Sequence, residues 1–146
     1  MVNNNGRTHV LLIEDNPGDA DLVRLRLDEG DGAVDLDCVG RLADGLASID
    51  KEPPAVVLLD LNLPDSRGVD TLRKLLEKAP GVPVVILSGQ DDEILAMNAV
   101  LQGVPDYLLK GDITSSRLER VMHSAIERQA LLRSAALVSY KGDRPA

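Results

Sequence analysis

Apolar positions fall in short blocks along this chain, and four of the blocks end in a reactive side chain. Val10-Leu11-Leu12-Ile13 ends at Glu14-Asp15, Val56-Val57-Leu58-Leu59 at Asp60, Val84-Val85-Ile86-Leu87 at Ser88, and Tyr107-Leu108-Leu109 at Lys110. Apolar runs without alternation suit strands buried on both faces, as in a parallel sheet covered by helices. A fifth segment, Val34–Val39, alternates: Val34, Leu36 and Cys38 oppose Asp35 and Asp37, which places it nearer a sheet edge. The expected strands are therefore 8–13, 34–39, 55–59, 83–87 and 106–109.

Helical spacing fills the intervals. Asn16-Pro17 reads as an N-cap followed by proline at the first helical position, with Ala20, Val23 and Leu27 on one stripe and Gly30 as the stop. Leu42, Leu46 and Ile49 mark a second helix ended by Pro53-Pro54. Val69, Leu72, Leu75, Leu76 and Ala79 mark a third, ended by Pro80-Gly81. A fourth is expected over about 92–102, and the last begins near Thr114 or Ser115. Five strands alternating with five helices predict an α/β fold: a doubly wound parallel sheet with right-handed crossovers and helices on both faces.

Composition narrows the picture. The 146 residues suit one domain with a real core, built without Phe or Trp, and Tyr107 and Tyr140 are the only aromatics. The net charge of −8 disfavours nonspecific attraction to nucleic acid or anionic membrane. Residues 1–110 carry 10 basic and 20 acidic side chains, residues 111–146 carry 6 and 4, so the acidity sits in the sheet-forming part. No apolar stretch reaches the roughly 20 residues of a membrane helix, and no apolar signal-peptide core is visible, so a cytoplasmic location is expected. Cys38 is the only cysteine and its alternating neighbours mark it as a small buried apolar residue.

In open parallel sheets, ligands bind beyond the C-terminal ends of the strands, where all these reactive side chains end. Adjacent acids such as Glu14-Asp15 repel unless a cation or water separates them, and Mg²⁺ suits a few carboxylates with an open side; alternatively Asp15 merely caps the next helix. Asp60 ends the most apolar strand, where a carboxylate is costly without a cation. A carboxylate can act as a nucleophile toward phosphorus, and such transfers depend on positioning and charge neutralisation. Lys110 supplies a point charge, Ser88 a hydroxyl, and Gly89 room for a group to approach.

These stretches, with Leu12-Ile13-Glu14-Asp15-Asn16, Val57 to Gly68, Val84 to Gly89 and Asp106 to Lys110, resemble the receiver domain of two-component response regulators over roughly residues 8–128. The resemblance implies the flavodoxin-like strand order 2-1-3-4-5, which is a known order of a chemotaxis receiver. It implies Asp60 as phosphoacceptor from a sensor histidine kinase or phosphotransfer protein, and Mg²⁺ (or Mn²⁺) held by Glu14, Asp15, Asp60 and the backbone carbonyl of Asn62. Ser88, Gly89 and Lys110 would bind the phosphoryl group, Ser88 and Tyr107 would switch, and Asn62 and Gln90 would modulate its lifetime before self-dephosphorylation. One departure stands out: where receivers have a proline after the lysine, joined by a cis bond, Gly111 follows Lys110. Either a trans bond with a shifted loop or a strained cis bond is expected, since a cis bond to a non-proline residue costs about 3–4 kcal/mol.

The expected fourth helix is apolar throughout Ile94 to Leu101 except Asn98, more than a one-sided helix needs. With the resemblance, this places a homodimer or downstream-protein contact on the fourth helix, fifth strand and fifth helix, with Ile94, Met97, Leu101, Val121 and Met122 on that face. The last helix continues in Leu131, Leu132, Ala135, Ala136, Leu137 and Val138, either pairing with another chain or connecting to an output domain. The expected organisation is a flexible 1–7, a receiver over 8–128, and a helical extension and tail over 129–146. No basic recognition helix is present, so direct nucleic-acid binding and membrane association are not expected. Two rivals remain open: a Mg²⁺-dependent phosphohydrolase with an aspartate nucleophile, which Asn62 disfavours because such enzymes carry an acid there, and an interaction module independent of phosphorylation.

Overall fold

The computed structural model describes residues 6–89 and 106–142, with side chains described as far as residue 136. The strands are β1 (Thr8–Ile13), β2 (Val34–Val39), β3 (Val56–Asp60), β4 (Val84–Ser88) and β5 (Asp106–Leu109). They form one parallel sheet in the order β2-β1-β3-β4-β5. Helices α1 (Pro17–Glu29), α2 (Leu42–Lys51) and α3 (Val69–Lys78) follow the first three strands, and a C-terminal helix covers Ser115–Gly142. The helix expected over 92–102, and with it Gln90, Ile94, Met97 and Leu101, lies outside the described residues.

The period of two along each strand divides the apolar side chains between two cores. Leu11, Ile13, Val57, Leu59 and Ile86 pack under Leu42 and Ile49 of α2 and Leu72 and Leu75 of α3. Val10, Leu12, Val56, Leu58, Val85 and Leu87 pack under Val23 and Leu27 of α1 and Leu118, Met122 and Ala125 of the C-terminal helix. Every residue of β3 and β4 is buried, whereas β2 is half-buried at the edge, which is why its sequence alternates. Leu-, Val- and Ile-rich packing thus does the work that aromatic rings do elsewhere.

Met122 corrects an expectation. It is 3% exposed and sits in the core between the C-terminal helix and the sheet, so it offers no surface to a partner. Its neighbour Val121 is partly buried against the same core. The helix turns its surface elsewhere: Leu131 and Leu132 are 70% and 56% exposed. Two arginines tie the helix to the sheet below, Arg128 to Asp106 at 3.1 Å and Arg133 to the Gly81 carbonyl at 2.5 Å. Arg7, at the end of the expected flexible lead-in, donates to Asp35 and to the Val34 carbonyl, both at 2.6 Å.

The loops at the C-terminal edge are closed by specific bonds. Asn16 caps α1, its side chain accepting from the Asp19 N–H at 3.0 Å. Helix α2 has no cap of its own. Instead the Asp65 carboxylate, from the loop after β3, accepts from the Leu42 and Ala43 N–H groups at 2.9 and 3.0 Å. The same loop folds back on itself through a bridge between Asn62 and Arg67 and bonds from Leu63 N–H to Ser66 and from Gly68 N–H to Leu61. Gly68 takes φ +69°, which a side chain would strain. No cis peptide occurs among the described residues, so Lys110–Gly111 is trans, the first of the two expected alternatives, and leads into one 3₁₀ turn over Lys110–Asp112.

Removing the remote cap should be measurable. Asp65→Ala is expected to destabilise the domain by about 1 kcal/mol at neutral pH. The two helix N–H groups hold the Asp65 carboxyl below its ordinary value of 3.8. The difference from wild type should therefore persist above that value and fade as pH falls below it toward the lowered folded value, measured by urea unfolding across acid pH.

Candidate functional site

The sheet register fixes which strand-end side chains meet. Glu14 follows β1 with the parity of Val10 and Leu12, and Asp60 ends β3 with the parity of Val56 and Leu58, so both lean toward the α1 side. Lys110 follows Leu108 of β5 with the same parity. Its ammonium is held among three acids: Nζ donates to Glu14 Oε1 at 2.6 Å, to Asp19 Oδ2 at 2.9 Å and to Asp60 Oδ2 at 3.3 Å. An ammonium has three N–H donors, and all three are used. Asp60 Oδ1 accepts in turn from the Asn62 N–H at 3.1 Å.

Burial sets the electrostatics. Glu14 and Asp60 are each 3% exposed, whereas Asp15 stands at the open side. Burial, then the adjacent Asp60, push the Glu14 carboxyl up to about 9, against the pull of Lys110. Burial alone would lower Lys110, but its bonds to Asp19 and Glu14 and the charge of Asp60 hold it above its ordinary value, so it is an ammonium at neutral pH. The bond to Lys110 outweighs burial at Asp19 and lowers its carboxyl.

Glu14, Asp15 and Asp60 each offer a carboxylate oxygen within 4.8 Å of the others. Glu14 Oε2 is buried and finds no hydrogen-bond partner among the described residues. A buried acceptor without a donor is costly, and a cation beside it removes the cost. The donor set, oxygen only with an open side, fits a small hard divalent cation. A cleft of about 370 Å³ opens above, lined by Asp15, Asn16, Asp19, Asp60, Asn62, Leu63, Pro64, Arg67 and Lys110.

The other expected residues are placed differently. Ser88, paired in register with Leu109 and one step beyond Asp60, is fully buried; its Oγ has no partner among the described residues and no described bond joins it to the acids. By strand parity it points to the α2–α3 side with Ile86. Half-buried Tyr107 packs against that same core. Gly89 is half-buried beside Ser88. Sequence reasoning missed Asp19 and Arg67. Asp19 is the third residue of α1, in the first turn after the Asn16 cap, and so stays within reach of Lys110 at the strand ends. Arg67 reaches the cleft only because the loop folds back and pairs it with Asn62, which no linear spacing displays.

Comparison with known proteins agrees with this geometry. The family model for the response regulator receiver domain matches residues 10–122. The chain is 33% identical over 123 residues to the regulatory protein LuxO of Vibrio cholerae, covering 84% of this chain and 26% of that protein. It is 32% identical over 133 residues to the nitrate/nitrite response regulator NarL of Escherichia coli, covering 86% of this chain and 58% of NarL. The chain thus spans about a quarter of LuxO and under two thirds of NarL. Among solved structures, the receiver domain of NtrX from Brucella abortus superimposes with a TM-score of 0.70 at 30% identity, covering 81% of this chain and 98% of that one. Motifs, strand order and relatives converge, and the chain belongs to the receiver domain family of two-component response regulators.

Proposed function

We propose that this receiver accepts a phosphoryl group on Asp60, with Mg²⁺ held by Glu14, Asp15, Asp60 and the Asn62 carbonyl, and that it later hydrolyses the aspartyl phosphate. The observation that supports this most is the grip of Lys110 on Asp60 beside a Glu14 oxygen that has no partner among the described residues. Bound there, the cation would neutralise the phosphoryl oxygens and the acids around them. The chain's own groups account for the rest. Lys110 draws off negative charge and orients Asp60, leaving an Asp60 oxygen to attack phosphorus. The Asn62 N–H holds the other oxygen. Lys110 then exchanges one of its carboxylate partners for the new phosphoryl oxygens.

The phosphoryl group adds about −1.5 to −2 charges to a small volume. The Ser88 hydroxyl, without a partner among the described residues, is a neutral donor on the adjacent strand, and its movement toward the phosphoryl group would open space that Tyr107 fills. That pair then biases the face beyond β4 and β5 between two arrangements. A sensor histidine kinase or phosphotransfer protein supplies the phosphoryl group. A second copy or a downstream protein reads the state, and the exposed Leu131 and Leu132 extend the surface on which such a partner can rest. Asn62 and Gln90 modulate the lifetime of the phosphorylated form.

Two outcomes check this reading. With Mg²⁺ and acetyl phosphate, intact mass should show one phosphoryl adduct on wild type and none on Asp60→Asn; an adduct that survives on the mutant sinks the assignment. Second, a proton on Glu14 competes with the cation. Because the carboxyl is raised to about 9, ionisation is incomplete at pH 7. Mg²⁺ affinity should therefore climb with pH, by up to about tenfold per unit from pH 7, and level off above 9. Calorimetric titration in two buffers of different ionisation enthalpy would show proton release on binding, and Glu14→Gln should flatten the dependence.

A further inference from the structure

The cleft over Asp60 is lined by two cations. Lys110 spends every donor on Glu14, Asp19 and Asp60. The other is Arg67, whose guanidinium makes no ion pair or hydrogen bond among the described residues although it lines the same cleft. Its backbone is fixed: the bridge to Asn62, the Leu63–Ser66 and Gly68–Leu61 bonds and the buried Ser66–Thr71 hydroxyl pair at 2.8 Å hold the loop closed. Residues paired across such a bridge project to one side, so Arg67 and Asn62 face the cleft together.

The charge balance gives that position a task. Asp15, Asp19 and Asp60 present carboxylates at the cleft, and Lys110 is already shared among acids. An anionic phosphoryl donor must approach this surface against its field. We infer that Arg67 is the residue that receives a small dianionic acyl phosphate at the rim, contacting its phosphoryl oxygens and aiming phosphorus at Asp60. The inference rests on the reading of Asp60 as acceptor. In the transfer, an Asp60 carboxylate oxygen bonds to phosphorus and the bond from phosphorus to the acyl oxygen breaks. The electron pair leaves with the carboxylate, and no proton is taken up. Guanidinium suits the task because its planar fork matches phosphoryl oxygens and it keeps its charge at any working pH.

A rim cation acts mainly on the rate of encounter, and that action is screened by salt. The test measures the second-order rate of adduct formation from acetyl phosphate with saturating Mg²⁺, by intact mass, for wild type, Arg67→Gln, Arg67→Lys and Arg67→Glu. At low salt Arg67→Gln should be slower than wild type by roughly five- to tenfold, Arg67→Glu slower still, and Arg67→Lys, which keeps the charge and loses the fork, between wild type and Arg67→Gln. The gap between wild type and Arg67→Gln should close as salt rises from roughly 20 to roughly 500 mM. Rates within twofold across all four proteins, or a deficit indifferent to salt, would overturn the role of Arg67 while the wild-type adduct leaves the Asp60 reading intact. Absence of any adduct on wild type would instead overturn that underlying reading.

Discussion

One ammonium holds three carboxylates together at the end of a dry sheet, and the rest of the site is arranged around it. Strand burial brings Glu14 and Asp60 to where water cannot solvate them, and neither is affordable there without a positive neighbour. Lys110 supplies it, from a strand end far along the chain. One positive charge does not balance three acids, so the cluster keeps an excess of negative charge. The proton drawn to Glu14 and the fit to a divalent cation are two answers to the same excess.

Much of this was legible in the sequence because it depends on period and position. Unbroken apolar runs marked β1, β3 and β4 as buried, alternation marked β2 as an edge, and Asn16-Pro17 and Gly30 marked the ends of α1, whereas the run of β5 did not reveal the half-buried opposite edge. The convergence of Glu14, Asp60 and Lys110 followed from placing parallel strands side by side. What escaped depends on contacts between distant segments. Asp65 capping α2 joins residues 23 apart, and Arg67 enters the cleft through a fold in its loop. Met122 was assigned to the wrong face because helical spacing gives a stripe without saying how wide the sheet beneath it is.

The loop after β3 shows how local and distant bonds combine. Leu61 and Leu63 anchor it in the α2–α3 core, Ser66 bonds Thr71 at the start of α3, and Asp65 reaches the start of α2. Two helices and β3 therefore share one short segment. Gly45 adds to the tightness: α2 lies so close to β1 that a Cβ there would run into Ile13. Asp60, at the head of that segment, is therefore held in place by bonds on both sides of the sheet edge.

The C-terminal helix begins five residues after Lys110, against the end of α1, and runs for 28 residues. At 1.5 Å per residue it is about 42 Å long, roughly two to three times the length of the strands it covers. It is therefore a lever with its fulcrum on the sheet. A rotation of about 5° at its first turn would carry the far tip by about 3–4 Å, a displacement large enough to remake a set of side-chain contacts.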